Sequence, residues 1–387
     1  MLAGFPGLPK VPFVLLGGGL GTVAWKMRQK ERAIVKSETT TKAPQRENLE
    51  ALLRVEPLAI EVGLGLVKFV DGGHSSPLLR RIGAIRRQMA TDMGFLVPPI
   101  RVTDNMTLGA RHYVVLLKGV EIARYELPQG HELAIPAGKA EAPPGGRQTR
   151  EPAFGMTGWW IPTPYAEKAR RSGFTVVDAV SVMGTHLTEL IRRHAHEIFS
   201  RQETKKMLDR VALEHPKVVE DLVPKLLPLA TVQRVLQNLL RERVSIRDTV
   251  SILEALSEAA AATRNPILLT EYTRQSIRRT IVRPYLNTAG DLSALIMDPA
   301  LEHSVEGAIE HNEQSSHLTL SPQSIRDLVA RIERKTGAPE APVVVVTSSG
   351  ARFFLRQLVE TRLSSVFFIG HNEIPAEVKI ISLGLIE

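Results

Sequence analysis

Hydrophobic residues change their spacing along the chain, and each spacing predicts a different secondary structure. From Leu58 to Leu66 every second residue is apolar, which is typical of a half-buried strand. From Leu78 to Met89 apolar residues recur at helical spacing, between a Ser76-Pro77 start and Gly94. Extended runs follow at residues 100–104, 113–118 and 120–125. This part of the chain is predicted to be an α+β module.

The spacing is helical through most of residues 199–280. One helix is predicted from Arg201 to Leu213, and a second carries the apolar positions of residues 232–240. Ser245 and Asp248 resemble the cap of a third helix, which carries its apolar residues inward. We expect these helices to form one compact helical domain.

Mixed structure returns in the last hundred residues. Val343 to Thr347 is a run of β-branched residues, which is typical of a strand buried within a sheet. A helix is predicted from Ser321-Pro322 to Arg334. A second helix is predicted at residues 351–362, and further strands at 292–297, 366–369 and 378–385. The pattern as a whole predicts an α+β multidomain fold, in which two mixed α/β modules flank a helical domain.

An apolar segment without charge, Val11 to Trp25, lies near the N-terminus. It is shorter than the ~20 residues that span a bilayer, and four cations follow it, as at the cytoplasmic end of a membrane helix. We interpret it as the remnant of a membrane helix; a buried N-terminal helix is the alternative, although glycines 17–19 disfavour a soluble helix. Residues 28–47 are polar and are predicted to be a flexible linker.

Composition excludes some chemistry. The chain has 387 residues and no cysteine, so disulfides and thiolate metal sites are excluded. Its net charge of +8 suits nucleic acid, an anionic membrane surface or acidic partners. Only 5% of the residues are aromatic, and the arginine pairs at residues 192–193 and 278–279 form no stripe, so no nucleic-acid partner is predicted.

Candidate catalytic and metal sites are few. His186, His194, His196 and His215 are the nearest histidine cluster, but they form no His-Glu-x-x-His pair, so no metal is predicted. The glycines of residues 17–21 lack the spacing of a dinucleotide loop. Residues 348–350, after the strand at 343–347, are either a phosphate cradle or a plain strand-to-helix turn. No catalytic residue and no cofactor are predicted.

A turn at residues 151–155 is the candidate binding element. Glu-Pro-Ala-Phe-Gly combines an acidic residue, a proline and a glycine around Phe154, which predicts a rigid turn that presents the aromatic ring. The candidate residues that would line a shallow apolar depression are Phe154, Gly155, Leu133, Ile135 and Thr185. The alternative is that Phe154 is an interdomain core residue.

Several motifs in unbroken order resemble the FHIPEP family, the export gates of type III secretion, and within it the flagellar members. The motifs are Glu-Pro-Ala-Phe-Gly at 151–155, Val-Val-Asp at 176–178, Thr-His-Leu at 185–187, Leu-Val-Pro at 222–224, Val-Leu-Gln-Asn-Leu-Leu at 235–240 and Ile-Arg-Asp at 246–248. The resemblance implies the following division of the chain: residues 1–26, end of the last transmembrane helix; 27–48, linker; 49–129 with 179–198, first α+β domain; 130–178, small α+β domain inserted in the first; 199–280, helical domain; 281–387, C-terminal α/β domain.

The resemblance also implies roles for the candidate residues. Phe154 would be the apolar anchor of a pocket that receives export chaperones with bound substrates, Glu151 a charge that selects a basic or polar group, and Thr185 part of the floor. Leu49 and Leu52, beyond the linker, would reach a neighbouring subunit. The resemblance therefore implies a non-enzymatic docking platform. It also implies that the protein forms a homo-nonameric ring and contacts other export-apparatus proteins, including the ATPase complex.

The same resemblance places the protein at the bacterial inner membrane, with the bulk of this chain in the cytoplasm. Two alternatives for function stay open. One is an export gate of a virulence secretion system. The other is a membrane-anchored, nucleotide-binding hydrolase or regulator that uses the C-terminal α/β unit.

Overall fold

The computed structural model describes residues 55–71, 76–138, 142–337 and 342–387. The predicted membrane-helix remnant, the linker and the pair Leu49 and Leu52 lie outside these residues. Within them, no helix combines the length and the apolar character needed to cross a bilayer.

The first sheet contains both parallel and antiparallel strands. Its strands, in the order β2-β1-β3-β4, are β1 (Leu58–Val62), β2 (Arg101–Asp104), β3 (His112–Leu117) and β4 (Val120–Glu126). Strand β1 runs parallel to β2 and antiparallel to β3. The predicted strand at 58–66 is too long, because residues Leu64–Phe69 form a 3-10 helix. Only glycine fits at position 63, where the strand ends, since an added Cβ would lie 2.2 Å from the carbonyl oxygen of Gly109.

Helix α1 (Pro77–Met93) confirms the first predicted helix. Its start is fixed by the Ser76 side chain, which accepts a hydrogen bond from the amide of Leu79. Its end is fixed by Gly94, which has a left-handed conformation. Its buried face carries Ile82, Ile85 and Met89, and this face belongs to the same core as the strands of the first sheet.

The second sheet is antiparallel, and its strands follow β4 in the sequence. Its strands, in the order β6-β7-β5-β8, are β5 (His131–Pro136), β6 (Arg147–Arg150), β7 (Thr157–Pro162) and β8 (Phe174–Val177), with α2 (Ala166–Arg171) before β8. Helix α3 (Ala179–Arg193) begins at Asp178, whose side chain accepts from the amide of Ser181. It packs on both α1 and β5, so it connects the two sheets.

Helices fill the next segment, as predicted. They are α4 (Ala195–Ile198), α5 (Arg201–Glu214), α6 (Pro216–Leu222), α7 (Leu229–Arg241), α8 (Thr249–Ala259), α9 (Pro266–Ser276) and α10 (Arg278–Val282). The cap of α8 is Asp248 alone, whose carboxylate accepts from the amide of Ser251. Ser245 instead accepts from the amide of Arg247, so its predicted role in the cap is wrong.

The C-terminal sheet is parallel, with strand order β13-β12-β9-β14. Its elements, with the β10-β11 hairpin, are β9 (Leu292–Met297), α11 (Pro299–Glu306), β10 (Ile309–His311), β11 (Ser316–Leu318), α12 (Pro322–Thr336), β12 (Val343–Thr347), α13 (Ser349–Val359), β13 (Val366–Gly370) and β14 (Ile380–Ile386). Residues 344–347 of β12 are buried, which confirms the prediction from their β-branched side chains. The α+β class is confirmed, and the division into domains stays a prediction.

A buried cluster of charged side chains joins the helical segment to the C-terminal sheet. This ion cluster consists of Glu242, Glu271, Arg274, Arg352 and Glu373. Arg274 donates to both carboxylate oxygens of Glu373, at 2.5 and 2.8 Å. Arg352 donates to both oxygens of Glu271, at 2.8 and 2.5 Å. Burial alone would raise the pKa of Glu242, but Arg352 and Arg274 hold it at about 2.

Candidate functional site

The turn between β6 and β7 is ordered by its own hydrogen bonds. The Glu151 amide donates to the Met156 carbonyl at 2.8 Å, and the Gly155 amide donates to the Glu151 carbonyl at 2.9 Å. The Glu151 carboxylate accepts from the amides of Ala153, at 2.9 Å, and Phe154, at 2.7 Å. Gly155 has a φ of +72°, which favours glycine. The predicted turn is confirmed.

Glu151 has a different position from the one that its predicted role requires. Its side chain is only 4% exposed, and each of its carboxylate oxygens accepts a backbone amide of the turn. The carboxylate is therefore committed to shaping the turn, and the geometry does not offer it as a surface charge to a visiting group.

Phe154 projects from this turn into solvent. Its side chain is 60% exposed, and Met156 beside it is 45% exposed. A Cβ added at Gly155 would meet no atom within 4 Å, so the space next to the ring is open. Among the residues that the structure describes, Phe154 is thus not an interdomain core residue, and its ring is accessible without any rearrangement.

Four buried or half-buried rings form a base under the turn. Tyr125 donates its hydroxyl hydrogen to the Arg150 carbonyl at 3.0 Å, which fixes the start of the turn. Its ring lies next to those of Tyr113, Trp160 and His186, with centroids 6.4 Å away in each case. Tyr113 and the Nδ1 atom of His186 are hydrogen-bonded at 2.7 Å. This aromatic base links the turn to helix α3, because His186 belongs to that helix.

The other predicted site residues lie on the elements beside this base. Thr185 is half-buried on α3, next to His186. Ile135 is half-buried on β5, the strand against which α3 packs. Leu133 is fully buried, and its Cδ1 atom would lie 3.2 Å from a Cβ added at Gly158. Leu133 therefore supports the sheet from within the core and cannot contact a partner.

The titration of His186 should make stability depend on pH. Burial lowers its pKa from 6.5 to about 4, and Arg193 adds to this shift. The unfolded chain therefore binds more protons between these values, so stability falls as the pH drops from about 6.5 towards 4. We expect His186 to account for a loss of about 1–2 kcal/mol between pH 8 and pH 5, measured by urea unfolding.

A His186→Gln variant is the control for this prediction, because glutamine can accept the Tyr113 hydrogen bond but does not titrate. Its stability should vary less between pH 8 and pH 5 than that of the wild type. Equal pH dependence of the two proteins would contradict the prediction.

The strand-to-helix turn at residues 348–350 is occupied by carboxylates of the chain itself. The Ser348 amide donates to Glu302 at 2.8 Å, and its hydroxyl donates to Glu306 at 2.5 Å. A Cβ added at Gly350 would lie 2.6 Å from Glu306 Oε1. Because two anionic groups already fill this position, a phosphate is repelled there.

The described parts of the chain also contain no candidate metal site. No group of three His, Asp or Glu side chains is placed to hold a metal ion there. His194 instead pairs with Glu197 at 2.8 Å, and burial lowers the pKa of His196 to about 4.

The sequence prediction missed most of the aromatic base. The sequence pattern places Tyr113 and Tyr125 on strands and His186 in the Thr-His-Leu motif, but it does not bring the three rings together. The sequence signal for the two tyrosines is that they lie on two strands joined by a short turn. The turn residues Lys118 and Gly119 both have positive φ. Tyr113 and Tyr125 face each other across this hairpin.

The fold is shared with known secretion proteins. CdsV of Chlamydia pneumoniae is 27% identical in sequence with a TM-score of 0.78, over 89% of this chain and 100% of that chain. CdsV has also been solved in a complex with CdsO. Nonameric EPEC SctV-C shares the fold at 22% identity with a TM-score of 0.70, over 86% of this chain and 98% of that chain. The fold is therefore that of the export-gate proteins of type III secretion.

The chain belongs to the FHIPEP family, which it matches over residues 1–379. The flagellar biosynthesis protein FlhA of Yersinia enterocolitica is 38% identical over 387 residues, which are 96% of this chain and 55% of that protein. The chain thus spans about half the length of this curated relative.

Proposed function

We propose that this chain is the docking region of a flagellar type III export gate. In this proposal it binds chaperones that carry export substrates, orders their export, and performs no chemistry itself. The contact is made by the surface formed by Phe154, Met156, Gly155 and the half-buried Thr185 and Ile135, which we call the docking surface. Similarity to a flagellar relative at 38% identity favours the flagellar system over a virulence system.

The exposed ring of Phe154 is the observation that carries this proposal. An aromatic side chain that is 60% exposed contributes little to the stability of the free chain but offers a large apolar area to a partner. Before any partner arrives, the Glu151 carboxylate already accepts a hydrogen bond from the turn and the Tyr125 hydroxyl donates one to it, so binding costs little ordering of the backbone. Such rigid aromatic anchors carry much of the energy of protein interfaces.

Assembly is the second part of the proposal. We extend to this chain the nonameric state of SctV-C and a partner of the CdsO kind, here the ATPase complex of the export apparatus. The chain is attached to the inner membrane through residues 1–26, and its bulk lies in the cytoplasm. Leu49 and Leu52 reach a neighbouring subunit of the ring. The domain boundaries at residues 129/130, 178/179, 198/199 and 280/281 complete this proposed organisation.

Replacing Phe154 with alanine tests the docking surface directly. The loss of a central aromatic anchor should weaken binding of a flagellar chaperone–substrate complex by about tenfold or more, as hot-spot truncations do. Isothermal titration calorimetry with the 387-residue chain measures this change. The thermal stability of the variant should equal that of the wild type, because the ring contributes little to the core.

Tyr165→Ala is the matched control, because Tyr165 is an exposed aromatic residue of the same part of the chain, 45% exposed. It should leave chaperone affinity unchanged. Equal affinity of the Phe154→Ala variant and the wild type would refute the role of Phe154. Absence of chaperone binding by the wild type would refute the docking function itself.

A further inference from the structure

A cavity of about 210 Å³ lies where the helical segment meets the C-terminal sheet. Its lining includes Glu242 and Arg243 at the end of α7, Arg274 of α9, Tyr285, and Arg356 of α13. The cavity borders the ion cluster, of which Glu242 and Arg274 are members. It is remote in sequence from the docking surface.

Arg356 is the unusual member of this lining. Its side chain is only 6% exposed, and its Nη1 atom donates to the Val366 carbonyl at 2.5 Å. Its Nε atom is buried and has no hydrogen-bond partner among the residues that the structure describes. Buried charged donors are normally paired, because an unpaired one loses its hydration without compensation.

The nearby carboxylates are already committed to other arginines. Glu242 accepts from Arg352 and from Arg274, the latter at 3.1 Å. Glu189 accepts from Arg243 at 2.7 Å. Within the described residues, Arg356 forms no ion pair with a carboxylate, although its guanidinium lies 5.5 Å from the ring centroid of Phe367. Glu242 and Glu360 act on Arg356 through their charges, but among the described residues neither carboxylate is in direct ion-pair contact with its guanidinium.

Other groups at the cavity are suited to an anion. Burial raises the pKa of Tyr285 to about 12, so its hydroxyl keeps a proton that it can donate. Burial lowers the pKa of Arg356, but arginine remains charged at neutral pH. The lining also contains a second carboxylate besides Glu242, that of Asp92, but this carboxylate is paired with Arg192 at 3.4 Å.

The size of the cavity limits the ligand. Pockets that hold drug-sized ligands have about 300–1,000 Å³, so a whole nucleotide is too large for this one. A tetrahedral oxyanion is small enough, and a guanidinium matches its oxygens with parallel N–H donors. We propose that this cavity binds a small oxyanion of the size of inorganic phosphate, which is held by Arg356 and Tyr285 and fastens the helical segment to the C-terminal sheet.

Titration of the 387-residue chain with inorganic phosphate tests this proposal, with sodium chloride at equal ionic strength as the reference. We expect saturable binding of one phosphate per chain and a rise in the unfolding temperature, because a ligand that binds only the folded state stabilises it. Arg356→Gln should weaken the binding about tenfold or more, since it removes a charge-assisted contact. Arg326→Gln removes the same charge from an exposed position and should leave the binding unchanged.

Tyr285→Phe provides a second variant in case Arg356→Gln does not fold, because it removes only a hydroxyl. It should weaken phosphate binding severalfold. The proposal is overturned if phosphate gives no saturable binding beyond chloride, which means that water fills the cavity. It is also overturned if the folded Arg356 or Tyr285 variants bind phosphate as the wild type does, or if ATP binds more tightly than phosphate. Chaperone binding is measured separately, so failure here leaves the docking proposal untouched.

Discussion

Replacing Arg352 with methionine should lower the free energy of unfolding by about 3–5 kcal/mol, because it removes one partner from a buried ion cluster. Arg352 is fully buried and donates to the carboxylates of both Glu242 and Glu271. Methionine fills much of the same volume but leaves Glu271 in the interior without its cation. Urea unfolding followed by circular dichroism measures the loss.

Two further variants show whether this loss comes from the buried charges. Arg362→Met breaks an exposed pair with Glu333 at 3.1 Å and should cost less than about 0.5 kcal/mol. The double variant Arg352→Met with Glu271→Gln should lose less stability than the sum of the single variants, because glutamine leaves no unpaired buried charge when Arg352 is removed. A loss below about 1 kcal/mol for Arg352→Met would contradict the prediction, because breaking a buried pair costs more.

The ion cluster was beyond sequence analysis because its members come from four separate elements. Glu271 and Arg274 lie on α9, and Arg352 lies on α13, where charged residues are usually solvated. Arg274 shares a face of its helix with Thr270 and Glu271, which are polar, so no local apolar pattern indicates that this cation is buried. Which carboxylate it meets depends on tertiary packing and on no local pattern.

Elements with strong local signals were predicted well. Helix α1 has a serine cap, a proline at its first position and a glycine at its end, and all three act as the sequence indicates. The strand at 343–347 was found from β-branched residues that suit a buried parallel strand. The strand from Leu58 was predicted too long, because a 3-10 helix from Leu64 to Phe69 also presents Leu66 to the core. Alternation alone does not distinguish these two structures.

The candidate site was half predictable. Proline and glycine identified the turn, but the sequence left open whether Phe154 is exposed or an interdomain core residue, and only the structure shows the ring to be exposed. The base under it depends on a β-bulge between Val115 and Leu116, which shifts the register of the β3–β4 hairpin by one residue. Without this shift Tyr113 would face Arg124 and not Tyr125. No pattern in the sequence marks the bulge, so the contact between the tyrosines could not be predicted.

Replacing Gly94 with alanine should lower the free energy of unfolding by about 2–5 kcal/mol, from left-handed strain and from steric overlap together. Gly94 has a φ of +82°, and an added Cβ would lie 2.2 Å from the amide nitrogen of Arg247. This backbone cannot move freely, because the neighbouring Ile246 amide donates to the Met93 carbonyl at 3.0 Å.

Gly130→Ala is the control, since Gly130 has a φ of +68° but no atom within 4 Å of the added Cβ. It should show only the strain, about 1–2 kcal/mol. Equal losses for the two variants in urea unfolding would mean that the close contact between Gly94 and Arg247 contributes nothing.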